Sequence, residues 1–149
     1  MINSHREFVK ALIIFGEKND LIKELKYLTD ADHVKEAMDT VDVRGVIFRL
    51  ASTNFDEDYN LYLRYKIAIW DKTQNSMEEV LESESENIFV ASSMEDYINH
   101  VMDGECFFET MTSDSLEDKD TTMTSLSGML TFVVKRNPSY WKQMEQFNA

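Results

Sequence analysis

A chain of 149 residues that is 43% hydrophobic and 11% aromatic has the material for one packed core, and reads as a single globular domain rather than a disordered tail. Its 28 acidic and 15 basic side chains leave a formal net charge of −13, which disfavours a broad cationic face for nucleic-acid phosphate or for an anionic membrane. The single cysteine, Cys106, rules out an intramolecular disulfide and a multi-cysteine zinc site, and fits a reducing compartment.

The opening twenty residues show no signal-peptide cleavage pattern, and their apolar run is too short to span a bilayer, so a cytoplasmic product without an address is expected. Residues 4–28 predict a helix, with Phe8, Ala11, Leu12, Phe15, Leu21, Ile22 and Leu25 at three- and four-residue spacings. Ser4 and Glu7 form a capping-box pattern at its start, and Gly16 either breaks the run or admits a neighbouring backbone. Residues 26–42 read either as a short strand and turn or as a second short helix over 32–38.

Residues 43–51, VRGVIFRLA, predict a strand, and residues 53–58 a polar turn. Residues 59–72 carry the best strand pattern. Leu61, Leu63, Tyr65, Ile67 and Ile69 share one face, and Tyr62, Arg64, Lys66, Ala68 and Trp70 share an amphipathic second face. After a turn at 71–76, a helix is expected from residue 77, with an apolar stripe of Met77, Val80, Leu81, Ile88, Ala91, Tyr97, Ile98, Val101 and Met102. Ser92 and Ser93 either cap a second segment or kink one long helix, and Gly104 is the expected C-cap. Residues 106–112 read as a strand, 113–123 as a loop, and 124–136 as a last strand in which Gly128 marks a bulge or close packing. A short helix after Pro138 closes the chain. The paired strands predict an α+β fold: a mainly antiparallel sheet of about four strands with helices packed on one face, in one domain over 1–149 with a C-terminal arm at about 137–149.

Chemistry-bearing patterns are scarce. His5, His33 and His100 stand in no ligand spacing, and Cys106 precedes two phenylalanines as a core cysteine does. There is no nucleophile elbow and no glycine-rich phosphate loop. Asp114, Asp118 and Asp120 lack the glycine and terminal glutamate of a calcium loop. No catalytic residue, cofactor or metal site is therefore expected. Trp70, Tyr140 and Trp141 are candidate interface anchors, or else plugs at the edge of the core.

Charge is the more informative signal, because residues 73–118 contain no lysine or arginine at all. Glu78, Glu79, Glu82, Glu84, Glu86, Asp114, Asp118 and Asp120 are the acids expected to face a channel, a basic partner or plain solvent. Lys10, Lys18, Lys23 and Lys26, all on the predicted first helix, offer an opposite pole; Lys23 and Lys26 are the candidate contacts to a neighbour.

The succession YKIAIWDK, acidic amphipathic helix, then GMLTFVVKRNPSYW resembles the tail-completion or tail-terminator-like connector proteins of tailed bacteriophages, including those of crAss-like and other Bacteroidetes phages. The resemblance covers roughly residues 40–141 and rests on order and spacing. Where members of that family carry a proline before the first long strand, this chain has VRGVIFRL. It implies a tail-terminator-like fold and a non-enzymatic virion subunit, made in the host bacterial cytoplasm. That subunit would form a ring of six or twelve copies in the neck, contact the portal and other neck or tail rings, and let DNA pass without specific binding or any membrane contact. The runner-up function is an acidic DNA mimic that inhibits a DNA-binding enzyme.

Overall fold

The computed structural model describes residues 4–29 and 43–135. In chain order these form helix α1 (Ser4–Lys18), strand β1 (Glu24–Tyr27), β2 (Gly45–Phe55), β3 (Leu61–Gln74), helix α2 (Met77–Val101), β4 (Glu105–Glu117) and β5 (Thr121–Val134). The strands make one mixed sheet in the order β1-β2-β3-β5-β4, in which β1 runs parallel to β2 and every other pair is antiparallel. The α+β class therefore holds, with five strands rather than about four.

Strand alternation decides the layers. Leu63, Tyr65, Ile67 and Ile69 of β3 turn to one face, together with Val46 and Phe48 of β2 and Leu126, Leu130 and Phe132 of β5. Both helices cover that face. Phe8, Leu12 and Phe15 of α1 and Val90, Ala91, Met94 and Ile98 of α2 join the same core, and Phe15 meets Tyr97 at 5.5 Å between ring centroids. On the opposite face a smaller cluster gathers Leu28, Ile47 and Trp70.

Three expectations are corrected. The first helix ends at Lys18, not at residue 28. Asn19 closes it: its N–H reaches the Phe15 carbonyl at 3.0 Å and its side chain accepts the Leu21 N–H at 2.9 Å. Lys23 then donates to the Arg44 carbonyl at 2.8 Å, and residues 24–27 pair with 45–48. The apolar spacing of Ile22 and Leu25 serves the same core from a turn and a strand, so periodicity alone misread it.

Second, the expected loop at 113–123 is a hairpin: β4 runs to Glu117 and β5 begins at Thr121. Its β4 residues are polar because that strand lies at the sheet edge and is exposed from Glu109 onward. The turns expected at 53–58 and 71–76 shrink likewise, to a tight connection at 56–60 and the short link before α2.

Third, Ser92 and Ser93 do not start a second segment: α2 is one continuous helix of 25 residues capped by the Ser76 hydroxyl on the Glu79 N–H. It ends at Met102, whose N–H bonds the Ile98 carbonyl, so Gly104 is not the C-cap. Gly104 is needed instead because a β-carbon there would meet the Phe132 ring and the Val133 carbonyl. Gly128 behaves as expected: it faces a bulge between Phe108 and Thr110 of β4, and a β-carbon would overlap the Thr110 carbonyl. The alternatives for 32–38 and the closing helix after Pro138 lie outside the described residues.

Candidate functional site

The densest polar constellation surrounds Arg44, at the entrance to β2. Its guanidinium is almost fully buried and donates from Nε to Asn87 Oδ1 (2.8 Å) and from Nη2 to Asp71 Oδ2 (2.8 Å) and the Ser83 carbonyl (3.3 Å). Nη1 pairs with Glu86 Oε2 at 2.7 Å. The side chains then close a ring. Asn87 Nδ2 donates to Thr124 Oγ1 at 3.0 Å, and Ser83 Oγ donates to Asp71 at 2.9 Å. The Ser83 proton is thus committed to the carboxylate, so the 2.6 Å contact between the Ser83 and Thr124 hydroxyls has Thr124 as donor. Asp71 and Thr124 are register partners on neighbouring strands, so the node ties β2, β3, β5 and α2 together. Ser83 is held by a carboxylate with no histidine between them, which suits a clamp rather than an activated nucleophile.

This node corrects the reading of α2. Its buried side is Ser83, Asn87, Val90, Ala91, Met94 and Ile98, whereas Met77, Leu81, Ile88 and Val101 of the expected stripe are exposed. The first half of the helix buries polar residues because a buried arginine needs acceptors. The available signal was the pair Ser83 and Asn87, four apart and in phase with Val90, Met94 and Ile98. Nothing in the sequence marked Arg44 itself.

A second polar group lies under α1. His5 Nδ1 sits 2.9 Å from the Tyr65 hydroxyl, Tyr27 approaches Nε2 at 3.4 Å, and Tyr27 in turn accepts the Leu50 N–H at 3.3 Å. Burial holds the His5 imidazole below its ordinary value and pushes the Tyr65 phenol well above its own. Cys106 is likewise a core residue: burial, with the charge of Glu95 nearby, pushes its thiol up to about 12, far from a reactive thiolate.

Two unlike surfaces remain. The outward side of α2 carries Glu78, Glu82 and Asp96 around Phe89, which is 60% exposed. The sheet face turned away from the helices carries Lys26, Arg49, Arg64, Lys66 and Lys72, placed there by alternation in β1, β2 and β3. There Ala68 pairs with Ser127, and these small side chains leave an open hollow of about 430 Å³ between Ile47 and Met129, flanked by Arg49 and Lys66. At the β4 side of this face Arg64 binds Glu109 at 3.0 Å. The Thr131 hydroxyl (2.8 Å) and Arg64 hold that carboxyl below the usual range.

The predicted residues distribute as follows. Trp70 is fully buried against Leu28 and Ile47, so its expected interface role is corrected: its indole fills the chain's own second core. Lys23 and Lys26 are exposed, but on the turn before β1 and on β1 rather than on a helix. The opposite pole is consequently the sheet face, and of the four expected lysines Lys10 and Lys18 remain on α1. Glu78, Glu79 and Glu82 are exposed, Glu84 is half-buried, and Glu86 is engaged by Arg44. Asp114 lies on β4, while Asp118 and Asp120 sit in the hairpin turn; all three are exposed. Tyr140 and Trp141 lie outside the described residues. Among the described residues no three His, Cys, Asp or Glu side chains are grouped to hold a metal ion, and no helix is long and apolar enough to cross a membrane. Compared with known proteins, the chain matches no protein-family model and no curated protein.

Proposed function

We propose that the chain is a structural, non-enzymatic subunit that assembles head-to-tail with copies of itself, as a neck-ring connector of a tailed bacteriophage does. The observation that carries this reading is the separation of charge between two exposed surfaces. An acidic helix face with projecting Phe89 lies on one side of the sheet, and a cationic sheet face with an apolar hollow lies on the other. Unlike faces on opposite sides of one subunit favour heterologous contacts, which close into rings when the rotation per subunit permits. Complementary charge sets the partner and its register. In that role the acids left outside the contact line a passage that repels DNA phosphate, and the portal and adjoining rings dock at its ends. The site of action is the virion neck, after synthesis in the bacterial cytoplasm.

The inhibitor reading is less well supported. A mimic of DNA needs acids in an extended phosphate-like array, and Phe89 and Ile88 interrupt that array on α2.

Native mass at low and high salt, for the protein alone and mixed with a portal protein, tests the proposal. A closed multiple of the subunit that dissociates with salt, and that the double variant Arg49→Glu/Lys66→Glu abolishes, supports it. A monomer under every condition sinks it.

A further inference from the structure

The sheet order leaves β4 at an edge, and among the described residues β5 is its only strand partner. We propose that residues 109–117 of this edge receive an extended, lysine- or arginine-bearing segment of another protein as a sixth strand, independently of the self-assembly proposed above.

The backbone defines the register. In the hairpin the Asp118 N–H bonds the Thr121 carbonyl at 2.8 Å, which makes that pair a hydrogen-bonded one. Antiparallel pairs alternate, so the pairs of Met111 with Gly128, Ser113 with Leu126 and Ser115 with Thr124 are non-bonded pairs. Their N–H and C=O groups therefore point away from β5, into the open edge. At the other end of the strand the same outward groups are already taken. Asn99 of α2 donates to the Cys106 carbonyl at 2.8 Å and accepts the Cys106 N–H at 2.7 Å. The chain thus closes the first part of its edge with a side chain and leaves the second part open.

The chemistry of the occupant follows from the walls. Natural edges are blunted by lysine, proline, bulges or brevity; β4 is 13 residues long, contains neither lysine nor proline, and its bulge at Phe108–Thr110 leaves residues 110–117 in regular pairing. Helix α2 forms the adjacent wall. Asn99 touches Cys106 and Glu95 acts on its thiol, so the side of α2 in phase with those two residues faces β4; Leu81, Glu84 and Ile88 share that phase. Leu81 and Ile88 are exposed there, as is Met111 on the strand. Asp114 is exposed on the face of β4 opposite to Met111, and residues 73–118 themselves contain no lysine or arginine. Like charge opposes pairing of two β4 edges with each other. A strand alternating apolar and basic residues satisfies all three features: backbone bonds to the open edge, apolar side chains on the helix side with Leu81, Ile88 and Met111, and cations on the other side beside Asp114.

The test uses the full chain and an end-blocked nine-residue peptide alternating valine and lysine. Controls are the same peptide with glutamate for lysine and the same peptide N-methylated at alternate residues. Amide exchange by NMR and a fluorescence titration give the readouts. Expected are at least tenfold slower exchange at Met111, Ser113 and Ser115, and at least tenfold weaker binding of both control peptides. Ser113→Pro should weaken the valine-lysine peptide as much, since its N–H makes no bond to β5 and the fold survives its loss. Equal binding of the N-methylated peptide, or no binding at millimolar peptide, overturns the proposal. So does protection of these amides that rises with protein concentration alone, which would mark the edge as a contact between copies of this chain. If Ser113→Pro does not fold, the N-methylated peptide decides by itself.

Discussion

Arg44 illustrates how one side chain constrains the packing of several elements. Its guanidinium lies among Asp71, Ser83, Glu86 and Asn87, with little solvent to replace any of them. Removing one member of a buried pair leaves the others uncompensated, so Arg44→Met should cost about 3–5 kcal/mol in urea unfolding. A loss below about 1 kcal/mol would mean that water fills the node at little cost. His5 offers a pH test. Its folded-state value is lowered by burial, so the unfolded chain binds the proton more readily. Stability should therefore fall as pH drops from about 6.5 through the lowered folded value, then level off. His5→Gln should remove that component, seen as a flatter difference in midpoint denaturant between pH 7 and pH 5. A variant that keeps the full slope would point to another group.

At the scale of elements, two local devices hold the hairpin and α2 in place. Ser76→Ala removes the acceptor for the Glu79 N–H and should cost about 1 kcal/mol, with the loss confined to the first turn of α2 in amide exchange. Gly128→Ala forces a β-carbon into the Thr110 carbonyl opposite the β4 bulge. Overpacking of this kind costs about 1–3 kcal/mol. Thermal unfolding of that variant should show the loss, and a neutral result would mean that the bulge relaxes freely. Sequence patterns served these elements unevenly. The strand at β3 was legible because clean alternation has one interpretation. The end of α1 was not, because Leu21, Ile22 and Leu25 fit a helix and a turn-plus-strand equally until the parallel partner at 45–48 is known.

The whole molecule carries a net charge of −13, and α2 and β4 hold 11 of its 28 acids without a lysine or arginine of their own. Such crowding is self-repulsive, and salt shortens its reach from about 30 Å at 0.01 M to about 10 Å at 0.1 M. The melting temperature of the subunit should therefore rise by a few degrees over that range. A fall instead would mean that exposed pairs such as Arg64 with Glu109 outweigh the repulsion. The same salt should weaken any contact between the acidic helix face and the cationic sheet face, so stability of the subunit and stability of an assembly are expected to move in opposite directions.

By itself the sequence determined the α+β class, the strong central strand, an acidic helix starting at residue 77, the burial of Cys106 and the need for glycine at 128. Each follows from local periodicity, composition or the size of one side chain. Only the tertiary structure decided the rest. Trp70 is core rather than interface because Leu28 and Ile47 meet it across the sheet. The cations form a face because β1, β2 and β3 lie side by side. Arg44 becomes a node because residues from 44 to 124 converge there, and β4 offers an open edge because β5, not β4, pairs with β3. Those outcomes depend on which distant segments become neighbours, and no local pattern encodes that choice.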